Sequence, residues 1–408
     1  MSVSFRLPEP LVPLSLVQPD DGCDVIRPLS GARAPHGRVI VDGREFILMS
    51  SYSYLGLNGH PEIDAAAKAA IDLDGTGIHG SRLVTGTLSI HRKLEKRIAQ
   101  FCGQEDAILY SSGYVANVAT ISALMSPGDQ IFCDVMNHAS IQDGCRMSGA
   151  ELVVTAHNNV KDLRNRIERA PKDKNKLIVV DAVYSMEGDI PDLPAILGLA
   201  EAHGALVMVD EAHSCGVIGK TGRGIEQHFG LPSGSIPLKM GTLSKTIPSQ
   251  GGYLAASARI VDLLRRRARG YIFSSALTAP AAAAALAAID VIERETWRVE
   301  RLQANAENLR NALHEAGIST ARSETAVIPA ICGASEAALA VSRYCFRHQV
   351  LATPVVYPAV QRHLSRLRLI PLASHCVQDL DHVVSIIIDA FDEAGIARGQ
   401  CRLERLAV

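Results

Sequence analysis

An excess of charge of one sign is missing from this chain. Its 41 basic and 43 acidic residues leave a net charge of -2, with a pI near 6.7. That balance removes the electrostatic footprint by which a nucleic-acid partner would be expected. Paired cysteines are missing as well. Nine are scattered along the chain without a C-x-x-C pair or a Cys/His cluster of ligand spacing. This excludes a disulfide framework and predicts reduced thiols, a cytoplasmic location and no structural metal. Long apolar runs are also absent. Prolines interrupt Leu11-Val12-Pro13-Leu14, so no secretory leader is expected. The most apolar stretch, from Ala279 to Ile292, contains Pro280 and Asp290. It falls short of the roughly 20 apolar residues a membrane span needs and reads as a buried alanine-rich helix. Aromatics make up 4% of the residues, with Trp297 the one tryptophan, while alanine and glycine are plentiful, which suits close packing of helices on a sheet.

What the chain does have is 408 residues, 47% of them hydrophobic, enough for a large core and two domains. Residues 1–50 read as an arm, proline-rich at first. Two strand-like runs, 38–41 and 45–48, then flank an Asp42-Gly43 turn and predict a hairpin. From Ser51 to Asp290 short apolar runs alternate with helical segments. The runs at 107–110, 130–133, 152–154, 177–180 and 205–209 are apolar throughout, as for parallel strands covered on both faces. Asp134, Asp181 and Asp210 follow three of them. In an open α/β sheet ligands bind beyond the carboxyl ends of the strands, so these acids are expected beside the site. A helical pattern from Pro280 to Ala316 leads into strand-like pieces (326–331, 355–356) and helical ones (335–348, 379–394). The expected division is an arm over 1–50, a catalytic domain over 51–290 and a smaller α/β domain over 291–408.

Two motifs point elsewhere and fail on context. Gly75-Thr76-Gly77-Ile78-His79-Gly80 spells a dinucleotide fingerprint, but it follows an alanine-rich helical stretch where a strand is required. Gly219-Lys220-Thr221 ends like a P-loop, yet Ser214 stands where its first glycine should be, and it follows the acidic strand instead of preceding it.

The chemistry concentrates on Lys245, in Gly241-Thr242-Leu243-Ser244-Lys245, and on Asp210, which ends Val207-Met208-Val209. A lysine that can form a Schiff base with an aldehyde, and a buried acid that can hold a proton on a pyridine nitrogen, are what pyridoxal 5'-phosphate requires. Ser111-Ser112-Gly113-Tyr114 turns from a strand into a helix around 115–124. The free N–H groups at such a helix start, Gly113 and Tyr114 here, suit the phosphate.

These motifs occur in the order found in the α-oxoamine synthases, and from about Ser51 to His375 the chain resembles that family. The resemblance implies fold type I of the pyridoxal phosphate enzymes: a large domain with a mostly parallel seven-stranded sheet and a smaller C-terminal α/β domain. It implies decarboxylative condensation of a small amino acid with an acyl thioester, carried on coenzyme A or a carrier protein, to give an α-amino ketone. Lys245 matches the Schiff-base lysine and His138 the histidine that stacks on the cofactor ring. His213 and Ser185 match partners of its phenolic oxygen, and Thr242 a phosphate hydroxyl. Ser274 and Ser275 match a pair that reaches the neighbouring subunit's phosphate, which implies a homodimer. Arg368 matches the arginine that holds the amino acid's carboxylate. Ser53 stands where many members have asparagine at that carboxylate. Ser81 stands where a threonine accompanies strict glycine use, which leans the choice towards alanine or serine. The competing readings are an aminotransferase, which shares the lysine and the acid, and a non-catalytic subunit, which would lack the lysine.

Overall fold

The chain is described by a computed structural model that covers residue 29 and residues 35–399. The proline-rich part of the expected arm therefore lies outside the described residues, apart from Leu29, as do residues 400–408 of the expected C-terminal domain. Asp42 and Gly43 both take positive φ, 49° and 75°, the backbone that a two-residue type I′ turn requires. They join β1 (Arg38–Val41) to β2 (Arg44–Leu48) as the expected antiparallel hairpin.

The central sheet holds β3 (Asp106–Tyr110), β4 (Gln130–Asp134), β5 (Glu151–Thr155), β6 (Lys176–Asp181), β7 (Leu206–Asp210), β8 (Leu238–Ser244) and β9 (Pro248–Ala256). Its order is β3-β9-β8-β7-β6-β4-β5. β9 runs antiparallel to both neighbours and every other pairing is parallel, so the sheet is seven-stranded and mostly parallel, as the family resemblance implies. β6 is buried along its whole length, and β7 nearly so, which accounts for their unbroken apolar sequences. β5 departs from that pattern. It is the edge strand, and Glu151 and Val154 are exposed.

Hydropathy does not reveal β8, because Lys239, Thr242 and Ser244 interrupt it. Lys239 is nonetheless buried, its charge paired with Glu226 and its Nζ donating to the Cys102 carbonyl at 2.7 Å. The helical pattern from 280 to 316 is two helices, Ala279–Arg294 and Trp297–Glu315. The backbone leaves the helical region at Glu295 (φ -107°, ψ 52°), where the carboxylate accepts a 2.8 Å bond from Arg298 Nε.

The C-terminal region adds β10 (Ile328–Gly333), β11 (Val350–Leu351), β12 (Thr353–Val355) and β13 (Ser365–Leu369), with the helices Ser335–Arg347 and Val377–Glu393. β10, β13 and β12 form an antiparallel sheet, while β11 pairs in parallel with β2. Gly75 follows the helix Pro61–Asp74, so the glycine-rich run is a loop after a helix. Among the described residues no helix is long and apolar enough to cross a membrane.

Candidate active site

β4, β6 and β7 end side by side, which sets Asp134, Asp181 and Asp210 along one edge of the sheet, with Asp181 and Asp210 in register. Opposite stands the start of the helix Gly113–Leu124, capped by Ser112 Oγ, which accepts from Val115 N at 3.1 Å. Lys245 lies in the short connection between β8 and β9. Together these elements enclose a cavity of about 260 Å³ lined by Gly113, Tyr114, Asn117, His138, Ser185, Asp210, His213, Thr242 and Lys245, with Ser112, Ser140, Asp181 and Ser244 among the remaining lining residues.

The polar groups form two chains. In the first, Lys245 Nζ is 2.8 Å from His213 Nε2, and His213 Nδ1 is 2.7 Å from the Tyr54 hydroxyl. In the second, Asn117 Nδ2 donates to Asp210 Oδ2 at 2.8 Å and to Ser140 Oγ at 2.9 Å. That serine lies 2.7 Å from His138 Nδ1. The backbone N–H of His138 donates to Asp181 Oδ2 at 3.0 Å, and that of Ala212 to Asp210 Oδ1 at 2.9 Å.

Burial governs the charge states. It pushes the Lys245 amine down from 10.5 to about 8, against the pull of Asp210 and Asp181 and with help from Arg368. His213 is driven well below its ordinary value by burial, and further by Lys245 and Arg368. Burial lowers His138 too, with Asp210 opposing. Asp181 goes the other way, raised well above the carboxylate range by burial and by the neighbouring charge of Asp210. A free amine is thus within reach near neutral pH, beside a neutral imidazole.

The other expected site residues fall in two places. Arg368, on β13, donates to the Tyr52 hydroxyl and, at 3.3 Å, to the Ser185 carbonyl. The Tyr52 ring lies under both the Arg368 guanidinium (5.0 Å) and Lys245 Nζ (5.4 Å), and so joins the two. Ser53 does not line the cavity. Its Oγ is buried without a hydrogen-bond partner among the described residues, and Tyr52 is the residue that meets Arg368. Ser81 and Ser275 pair in an isolated bridge, with Ser274 adjacent, and none of the three lines the cavity. His60, Glu62 and Glu295 come within 4.8 Å of one another at a site the sequence did not suggest. Arg294 and Arg298 already pair with its carboxylates.

Sequence reasoning missed Tyr52, Tyr54 and Asn117. The signal for Asn117 was present: it is one amide in the largely apolar run Val115-Ala116-Asn117-Val118-Ala119, four residues into a helix that starts at the site. The donor set suits pyridoxal phosphate. An amine is present for the aldehyde and a carboxylate for the ring nitrogen. A helix start with the hydroxyls of Ser112, Thr242 and Ser244 beside it is a set of donors that fits a phosphate. The buried Asn117 Oδ1, without a partner among the described residues, remains available to a ligand.

Comparison with known proteins agrees. The class I and II aminotransferase family matches residues 44–387. An 8-amino-7-oxononanoate synthase of Thermoanaerobacter pseudethanolicus is 40% identical over 374 residues, 91% of this chain and 93% of that one. A serine palmitoyltransferase of Sphingobacterium spiritivorum is 38% identical over 358 residues, 88% of this chain and 90% of that one. A solved structure of SPT with PLP superposes with a TM-score of 0.87 at 32% identity, covering 91% of this chain and 94% of that one.

Proposed function

The chain belongs to the α-oxoamine synthase family of pyridoxal phosphate-dependent acyltransferases, and on that premise we propose the residues and substrates of its reaction. It condenses a small amino acid, alanine or serine before glycine, with an acyl thioester on coenzyme A or a carrier protein. The products are an α-amino ketone, carbon dioxide and the free thiol. Bound pyridoxal phosphate supplies a reactive aldehyde and a ring that accepts electrons.

Lys245 would hold the cofactor, and its amine would be the base that takes the proton from the amino acid's Cα. Its amine is suited to that task because burial brings its pKa to about 8. Asp210 holds the proton on the ring nitrogen, and Asn117 fixes the carboxylate's orientation through Oδ2. His138, which lines the cavity, would cover the ring. His213 and Ser185 serve the phenolic oxygen. The leading N–H groups of Gly113 and Tyr114, with Thr242, bind the phosphate. Arg368 binds the substrate carboxylate with a planar fork of donors, oriented by Tyr52. Ser53 and Ser81, neither of which lines the cavity, are assigned to the choice of amino acid on the family resemblance alone.

The same reading divides the chain into a catalytic unit over 51–290 and a C-terminal unit over 291–408 that delivers Arg368. It also pairs two copies, with Ser274 and Ser275 at the partner's phosphate. Exposed Leu83, Val84 and Phe273, close in sequence to the Ser81–Ser275 bridge, support a covered face there.

The observation that carries this reading is the Lys245 amine, held beside His213 in a cavity that Asp210 and a helix start also face. The test is a panel of amino acids against acyl-CoAs of graded length, read by thiol and carbon dioxide release. Release of both with alanine or serine is expected. Amino transfer to a keto acid with no thiol release would assign an aminotransferase instead.

A further inference from the structure

We propose that Tyr54 sets the tautomer of His213, keeping the ring hydrogen on Nε2 so that an N–H, and not a lone pair, faces Lys245 and the cofactor's place. The inference deepens the proposed function and rests on its assignment of His213 and Lys245 to the cofactor.

Tyr54 is fully buried, and its hydroxyl lies 2.7 Å from His213 Nδ1. The two rings meet edge to face at 6.2 Å. No other hydrogen bond is seen for this hydroxyl among the described residues. Burial first, and then Tyr52, raise the phenol far above its ordinary pKa of 10, against the pull of Arg368, so it keeps its proton. A buried O–H with no acceptor is destabilising, and Nδ1 offers the lone pair that relieves it. A neutral imidazole has one acceptor nitrogen and one N–H. If Nδ1 accepts from Tyr54, the hydrogen sits on Nε2, 2.8 Å from Lys245 Nζ.

That N–H meets the lone pair of a free amine and opposes an ammonium, which would need Nε2 as its acceptor. Tyr54 therefore acts through His213 to favour the free amine of Lys245. It is a positioning residue. Other groups act on the same pair. Asp181 on β6 and Asp210 on β7 favour the ammonium, while Arg368 on β13 disfavours it. His138 lowers His213 further, and Tyr52 meets the His213 ring edge to face at 5.5 Å.

The test is the long-range ¹H–¹⁵N spectrum of the histidine rings in the full-length chain, recorded with and without pyridoxal phosphate above the pH at which Lys245 titrates. His213 should show a protonated Nε2 and an unprotonated Nδ1 in both samples. In cofactor-free Tyr54→Phe, the Nδ1–H form should become populated. The Lys245 titration, followed by the pH dependence of its acylation, should rise from about 8 by about one unit. An Nδ1–H tautomer in the wild type, or a Lys245 titration unmoved by Tyr54→Phe, overturns the proposal. The wild-type spectrum is read without the variant folding and without the cofactor binding. A chain that bound no cofactor would count against the proposed function and would still decide the tautomer.

Discussion

A lysine amine with a pKa near 8 is free in about half the molecules at that pH, and capture of an aldehyde needs the free form. Cofactor capture by the cofactor-free chain should therefore quicken as pH rises through about 8 and then level off. Stopped-flow absorbance checks this, and a rate still climbing steeply towards pH 10.5 would mean that burial has not lowered the amine. At Asp210 the expected loss concerns charge more than shape. Asp210→Asn should lower kcat on the order of 10²–10³-fold, with a smaller change in KM. Steady-state kinetics reads the split. That Lys245 and Asp210 would face one cavity was legible in the sequence, because each is a chemically distinctive residue that ends or follows a strand. Tyr52 and Tyr54 were not. They sit in the same short run as Ser53, and which member of Tyr52-Ser53-Tyr54 faces the site depends on a backbone path the sequence does not spell out. The family pattern drew attention to Ser53, while Tyr52 is the residue that meets Arg368.

Elements bring the site together by close approach. A Cβ at Gly252, on β9, would lie 2.5 Å from the Ser112 carbonyl oxygen and 2.7 Å from Gly113 Cα, both backbone atoms at the helix start. Gly252→Ala should push that start away and weaken cofactor binding on the order of tenfold, about 1.4 kcal/mol, as measured by absorbance titration. Further from the cavity, His157 ties the loop after β5 to Asp134 at 3.0 Å and to Asp189 at 3.1 Å. Burial alone would depress this histidine, but the two carboxylates outweigh it and raise its pKa to about 10 from 6.5. A raised folded-state value stabilises fully below pH 6.5, and the contribution fades as pH climbs through 10. His157→Gln should cost about 3 kcal/mol near pH 6, where the carboxylates are ionised and the histidine is charged, and the gap from wild type should narrow with rising pH. Denaturant unfolding across that range checks it, and a gap constant with pH would contradict the ion-pair account. The parallel strands were readable because burial on both faces leaves an apolar run. β8 was not, since its buried Lys239 depends on Glu226, thirteen residues earlier and in contact only once the chain has folded.

At the scale of the whole molecule, residues as distant as Tyr52 and Arg368 come into contact because the segment after β2 lies along the segment after β13, where Ile370 N donates to the Met49 carbonyl and Ala373 N to the Tyr54 carbonyl, each at 2.8 Å. The hairpin of the expected arm pairs with β11 from the C-terminal region. Hydropathy alone gives no such pairing, because β11 is two residues long. Two copies are expected to associate, so sedimentation should report about twice the chain's 43.7 kDa, and charged substitutions at Val84 and Phe273 should shift it towards one copy. The central claim is that Lys245 is the residue that holds the cofactor. Borohydride reduction of the pyridoxal phosphate-loaded protein, followed by peptide mass spectrometry, tests it most directly. The cofactor's mass should be found on the peptide containing Lys245 and should be lost in Lys245→Ala. A label on another lysine, or none on a protein that is folded and supplied with cofactor, would contradict the account.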